Sequence, residues 1–198
     1  MKIAVGLLHY PIRDSKGNVV ATNITNLDVH DIARASRVFG VTKYFVIHPM
    51  EDQRAFVHRM LDHWRVGEGA RYNAKRKTAL TMVETAESLE AAISEWNRAE
   101  GRSDRPMIVS THSRALEGVP QVSFRELRAK IEAGQPEDRL FLIFGTGYGL
   151  TDEFMRGCDL LLEPVKGAPP DDYRHLSVRS AVSIILDRLR GAWEPRVP

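Results

Sequence analysis

Residues 143–154 read IFGTGYGLTDEF, and within them the apolar run RLFLIF (139–144) stops at Gly145, Gly147 and Gly149, three glycines spaced two apart. Glycine removes the Cβ, admits positive φ and lets another molecule lie against the backbone. Taken alone, such a loop is either a tight turn or a surface shaped for a ligand. Its place in the chain has to decide.

Working outward, apolar runs of strand length alternate with helical patterns. KIAVGLL (2–8) reads as a first strand. In TNLDVHDIARASRVFG (25–40), Thr25 is placed to cap a helix, Asp28 follows three residues on, and Gly40 stands where a C-terminal glycine belongs. TKYFVIH (42–48) is the second strand, and Pro49 opens a helix running to about Arg65. A third strand is expected near ALTMV (79–83), before a helix from about Ser88 to Ala99. PMIVST (106–111) is the fourth. Ser123 and Glu126 form the capping box of a helix that stops at Gly134. RLFLIF is the fifth strand, followed by a short helix from about Thr151. DLLLEP (159–164) is the sixth, and HLSVRSAVSIILDRLRG (175–191) closes as an amphipathic helix.

Six β-then-α units with continuous apolar strands predict an α/β fold: a mostly parallel six-stranded sheet with helices on both faces. Ligands of such sheets bind beyond the carboxyl ends of the strands. The glycine loop sits at such an end, which raises it above an ordinary turn.

Composition sets outer limits. The chain has 198 residues, 43% apolar and 27% charged, which fits one domain over 1–198. No run approaches the ~20 apolar residues of a membrane span, and MKIAVGLLHYPIR reads as a strand rather than a signal peptide. Cys158 is the only cysteine, so no internal disulfide forms and a cytoplasmic location is expected. With 28 basic and 26 acidic residues the average charge says little about partners. The distribution says more: RVGEGARYNAKRK (65–77) carries five basic residues against Glu68 alone. Such a segment is either a solvated loop or a phosphate-binding surface.

Common ligand signatures are absent. Gly145-Thr-Gly-Tyr-Gly is not G-x-G-x-x-G and follows the fifth strand instead of the first, which disfavours a nicotinamide-dependent oxidoreductase. No G-x-x-x-x-G-K-[ST] occurs, and the seven histidines include no H-x-x-x-H pair with an adjacent acid, so no metal is expected. Three late strand ends remain: FGTGYGL (144–150), LEPVKGAPP (162–170) and YRHLSVRSA (173–181). Each can present backbone amides and carbonyls to one flat ligand, and Ser177 can cap the last helix.

Together with LLHYP (7–11), ITNLDVHDIARASRVFGV (24–41) and LLEP (161–164), these stretches resemble the SPOUT class of S-adenosylmethionine-dependent RNA methyltransferases. The likeness is nearest to a bacterial subgroup similar to tRNA guanine-N1 methyltransferases. It implies a C-terminal deep trefoil knot, which strand counting does not show, and a homodimer. It implies S-adenosyl-L-methionine held by Gly145, Thr146 and Gly147, by Glu163 and Pro164, and by Leu176, Ser177 and Val178, with Thr111 alongside and Leu150 giving apolar contact. On this view the loop is glycine-rich so that a cofactor can rest on it.

The resemblance also orders the chemical candidates. Arg34 matches the arginine that ribose-methylating members carry after their first strand, with Ser36 replacing an alanine. Asp28 and His30 stand where that pattern has Asn and Gly, and Gly147 stands about where it has a glutamate. These departures leave room for base methylation, in which Asp28, His30 or Asp31 removes a ring proton and Asn26 helps to place the target. Asp28 is equally placed to be only a capping acid. Arg71, Lys75, Arg76 and Lys77, with Tyr72 for stacking, form the expected contact with tRNA or rRNA; Arg174 and Arg179 flank the cofactor loop. A protein that binds RNA without turning it over is the alternative.

Overall fold

Strand β1 (Lys2–Leu8) is buried along nearly its whole length because it is covered on both sides. Successive side chains of a strand point to opposite faces. Ile3, Val5 and Leu7 therefore enter one core, and Ala4 and Leu8 enter the other. The structure is a computed structural model that describes residues 1–113, 116–170 and 173–192.

After β1 come a short hairpin, β2 (Ile12–Arg13) and β3 (Val19–Val20), then α1 (Asn26–Val38), β4 (Lys43–Ile47), α2 (Glu51–Arg65), α3 (Glu68–Tyr72) and α4 (Ala74–Leu80). The chain continues through β5 (Val83–Ala86), α5 (Leu89–Glu100), β6 (Met107–Thr111), β7 (Gln121–Val122) and α6 (Phe124–Ala133). It ends with β8 (Arg139–Gly145), α7 (Asp152–Arg156), β9 (Leu160–Leu162) and α8 (Val178–Arg190). The sheet has the order β5-β4-β1-β8-β6-β9-β7, and every pairing in it is parallel. Side chains from α1, α2, α4, α6 and α8 fill the core on one face, and those from α5 and α7 fill the other.

Local signals placed the helix starts well. The Thr25 side chain accepts from Asp28 N, Ser123 and Glu126 form a reciprocal capping box, and Ser177 accepts from Ser180 N. Three expectations need correcting. The sheet has seven strands, not six, because the two-residue β7 is too short to leave a pattern. The third strand of the expected set starts at Val83, since Ala79 and Leu80 end α4 and pack into the core against α1. The basic stretch 65–77 is not a loop: it forms the end of α2 and two short helices, with the Asn73 side chain capping α4 through Arg76 N.

Candidate functional site

The carboxyl ends of β6 and β8 open into a cleft of about 680 Å³. Four segments build its walls. Thr22, Asn23, Thr25 and Asp28 come from the approach to α1, and Thr111 to Ser113 from the end of β6. Phe144 to Leu150 form the glycine loop, and Arg174 to Val178 lead into α8, while Met155, Val165 and Ile185 supply apolar floor.

The glycine loop is a turn closed by Gly149 N donating to Thr146 O at 2.9 Å, with Gly147 at φ 53° and Gly149 at φ 92°. Those angles suit glycine and little else. A Cβ on Gly145 would lie 2.8 Å from Leu150 Cγ. Each glycine thus also has a reason within the protein, in the geometry of the turn itself. The β2–β3 hairpin braces this turn from behind. Ile12 bridges Leu150, Arg13 N donates to Gly149 O at 2.9 Å, and Arg13 pairs with Asp152 at 3.3 Å.

Beneath the turn lies a buried polar cluster that local sequence patterns do not announce. His9 Nδ1 meets Thr22 Oγ1 at 3.1 Å, Thr22 Oγ1 meets Thr146 Oγ1, and Thr146 Oγ1 donates to Leu8 O at 3.4 Å. His48 takes Met50 N–H on Nδ1 at 3.0 Å and so donates from Nε2 to Thr22 O at 3.1 Å. Burial, then the neighbouring His48, pushes the His9 imidazole down to about 4. It stands neutral at pH 7.

Of the residues expected to hold a cofactor, Thr111, Gly145, Thr146, Gly147, Leu150, Leu176, Ser177 and Val178 line the cleft. Glu163 and Pro164 do not. The Glu163 carboxylate accepts from Phe124 N at 2.7 Å, satisfying a helix-end amide of α6. Of the chemical candidates, Asp28 alone faces the cleft. Thr25 Oγ1 donates to Asp28 Oδ2 at 2.6 Å, and Arg179 approaches Asp28 at 3.4 Å and Asp31 at 3.6 Å. Asn26 begins α1, and Arg34 is exposed on it, away from the cleft. His30 points toward the Trp64 ring edge-on at 5.4 Å, its imidazole driven toward the neutral form by burial and by Arg76.

The basic residues divide. Arg174 lines the cleft and Arg179 borders it through its ion pairs. Arg71, Tyr72, Lys75, Arg76 and Lys77 lie together on α3 and α4, where the Arg76 guanidinium stacks over Trp64 at 4.6 Å. The opposite face has another character: three of the four charged residues of α5, Glu90, Glu95 and Glu100, are acidic.

Residues 2–191 match the model of a family described as SAM-dependent RNA methyltransferase. The chain belongs to this family. An uncharacterized protein of Aquifex aeolicus is 39% identical over 94% of this methyltransferase chain and 87% of its own. A tRNA (guanine-N(1)-)-methyltransferase of Nitratidesulfovibrio vulgaris is 40% identical over 93% of the chain, which spans 41% of that relative's length. Among solved structures, TrmJ from Z. mobilis ZM4 superposes with a TM-score of 0.61 at 14% identity, over 98% of this chain and 70% of that one. At that identity the likeness is one of fold, that of SPOUT methyltransferases.

The cleft suits the family's methyl donor. Thr25, Thr111 and Ser177 offer hydroxyls, those of Thr22 and Thr146 being tied to one another; the turn offers main-chain groups, and Leu150, Val165 and Ile185 offer apolar surface. Arg174 is the one Lys or Arg among the described lining residues, so the lining fits a nucleoside with a short zwitterionic tail better than a polyphosphate. Asp28 and Arg174 supply opposite charges for such a tail or for an incoming acceptor. Among the described residues no helix is long and apolar enough to cross a membrane, and no cluster of His, Cys, Asp or Glu is placed to hold a metal ion.

Proposed function

We infer that the chain methylates a ring nitrogen of a base in tRNA, the guanine N1 named for the Nitratidesulfovibrio relative being the leading target. S-adenosyl-L-methionine supplies a methyl group already activated on a sulfonium, so the protein has two tasks: to align the acceptor and to take its proton. Asp28 takes that proton. The observation that carries this reading is its position: of Asn26, Asp28, His30, Asp31 and Arg34, it alone lines the cleft. Both of its oxygens are held, one by Thr25 and one by Arg179, so the carboxylate is fixed for a proton arriving from the cleft side.

Gly145, Thr146, Gly147, Leu150, Leu176, Ser177 and Val178 form the donor-binding walls, and Arg174 guides the acceptor's phosphate. The order β8-β6-β9, with residues 173–178 returning beside Gly145, supports a trefoil-knotted path after β8. A homodimer that packs α1 at its interface covers Leu27 and Val38, both exposed, and carries Arg34 toward the partner's cleft. Mass spectrometry of nucleosides in tRNA from cells with and without the protein tests the reading. Loss of N1-methylguanosine supports it; an unchanged base profile with loss of a 2′-O-methyl nucleoside overturns it in favour of ribose methylation.

A further inference from the structure

We propose that Thr22 is a positioning residue that couples the two halves of the cleft, the turn 145–150 and the acceptor wall Asn23–Asp28. This rests on the reading that the turn binds the methyl donor. The hydroxyl of Thr22 contacts that of Thr146, inside the turn, while its backbone leads directly into Asn23, Thr25 and Asp28. One residue therefore touches both walls.

Two buried imidazoles hold it from behind. His48 Nδ1 accepts from Met50 N, which leaves Nε2–H to donate to Thr22 O and fixes the backbone. Thr22 N donates to His9 O at 2.9 Å, a second backbone tie on the same residue. His9 is fully buried, and its Nε2 meets no partner in the protein. An orphaned acceptor is commoner than an orphaned donor inside proteins. The tautomer is then Nδ1–H, donating to Thr22 Oγ1. With that lone pair used, the Thr22 proton is directed onto Thr146 Oγ1, and the Thr146 proton goes on to Leu8 O. The hydroxyls run in one direction, from the buried histidine toward the turn. Gly147 is packed against the same residue: a Cβ there would lie 3.4 Å from Thr22 Cγ2 and Ile12 Cγ2.

A hydroxyl so placed does more than fill space, because it holds Thr146 to the segment that carries Asp28, so that the donor meets a wall already set in place. The strength of the link is that of one neutral hydrogen bond, about fivefold in an equilibrium constant. Thr22→Val removes the hydroxyl and keeps the shape. Calorimetric titration of the purified protein with S-adenosyl-L-methionine should show Kd raised about fivefold in Thr22→Val, unchanged in Thr22→Ser, and raised no further when Thr146→Val is added. The same variants, assayed on bulk tRNA, should show the matching rise in KM for tRNA only when Thr22 carries no hydroxyl.

Three results overturn the proposal: Kd in Thr22→Val within twofold of the parent, additive effects of the Thr22 and Thr146 substitutions, or a Thr22→Ser that behaves like Thr22→Val. A purely structural role lowers the melting temperature of Thr22→Val and leaves Kd alone. If Thr22→Val does not fold, Thr146→Val against Thr146→Ser poses the question from the other side of the bond, and a Kd unchanged in both overturns it. A parent protein that fails to bind S-adenosyl-L-methionine strikes instead at the assignment of the cleft.

Discussion

Arg179, in the first turn of α8, lies 3.4 Å from the Asp28 carboxylate on the first turn of α1. The ion pair joins the helix that follows Leu176 and Ser177 in the cleft wall to the helix that carries Asp28. An arginine keeps its charge at every working pH, so Asp28 meets a constant partner whether or not the cleft is filled. The cap of α1 itself needs only the Asp28 amide, which donates to the Thr25 side chain whatever side chain stands at position 28.

Asp28→Asn should therefore keep the fold, retain the cap and lose the base. Methyl transfer to bulk tRNA is expected to fall by about 100-fold or more, the usual worth of a positioned general base. Affinity for S-adenosyl-L-methionine should stay within a few fold. Activity equal to the parent would return Asp28 to the rank of a capping neighbour.

Arg76 is held against an aromatic ring. Its guanidinium lies 4.6 Å from the centroid of Trp64, whose edge contacts His30 and His63 complete the cluster. A stacked arginine loses less freedom on meeting a phosphate than a solvated lysine does. Arg76→Ala should weaken tRNA binding and lower the slope of log K against log salt by about 1. Lys77→Ala should change both less. A binding constant independent of salt in the parent protein would remove this face from the RNA contact.

What the sequence discloses follows from the range of each interaction. Caps at Thr25, Ser123 and Ser177 are set by neighbours three residues away, and they stand where the pattern put them. Strand β7 and the hairpin clasp on the glycine turn depend on partners far along the chain, such as Ile12 with Leu150, and no local periodicity encodes them. Glu163 shows the same limit at the site. It sits in one of the three late strand ends, yet its carboxylate serves the amide of Phe124, a residue 39 positions earlier. His9, Thr22 and His48 carry no local signature for the same reason: three ordinary residues become a cluster only when the ends of β1 and β4 and the strap before α1 meet.

His9 makes stability depend on pH. Burial places its folded value near 4, against 6.5 for an ordinary histidine, and His48 is shifted the same way by its own burial. The unfolded chain thus takes up protons first as pH falls. The contribution is complete above about pH 6.5 and is lost progressively toward pH 4. By linkage His9 alone should remove about 2 kcal/mol between pH 7 and pH 5. Urea unfolding at the two pH values, for the parent and for His9→Gln, isolates it. Equal pH dependence in both proteins would show that His9 titrates normally.

Substitutions in the turn test whether its shape or its emptiness matters. Gly149→Ala places a methyl group in open space, with nothing within 4 Å, so its cost is the strain of a left-handed backbone at φ 92°, about 1–2 kcal/mol. Gly145→Ala has no such strain but drives its Cβ to 2.8 Å from Leu150 Cγ and 3.0 Å from the Leu150 amide nitrogen, which has to move. Leu150 in turn bridges Ile12 of the hairpin. Gly149→Ala should therefore lower the melting temperature and leave the Kd for S-adenosyl-L-methionine within a few fold, while Gly145→Ala, by shifting the wall itself, should weaken binding by about tenfold or more, the worth of roughly 1.4 kcal/mol. The opposite ranking in calorimetry would mean that the donor rests on Gly149 rather than against the base of the turn.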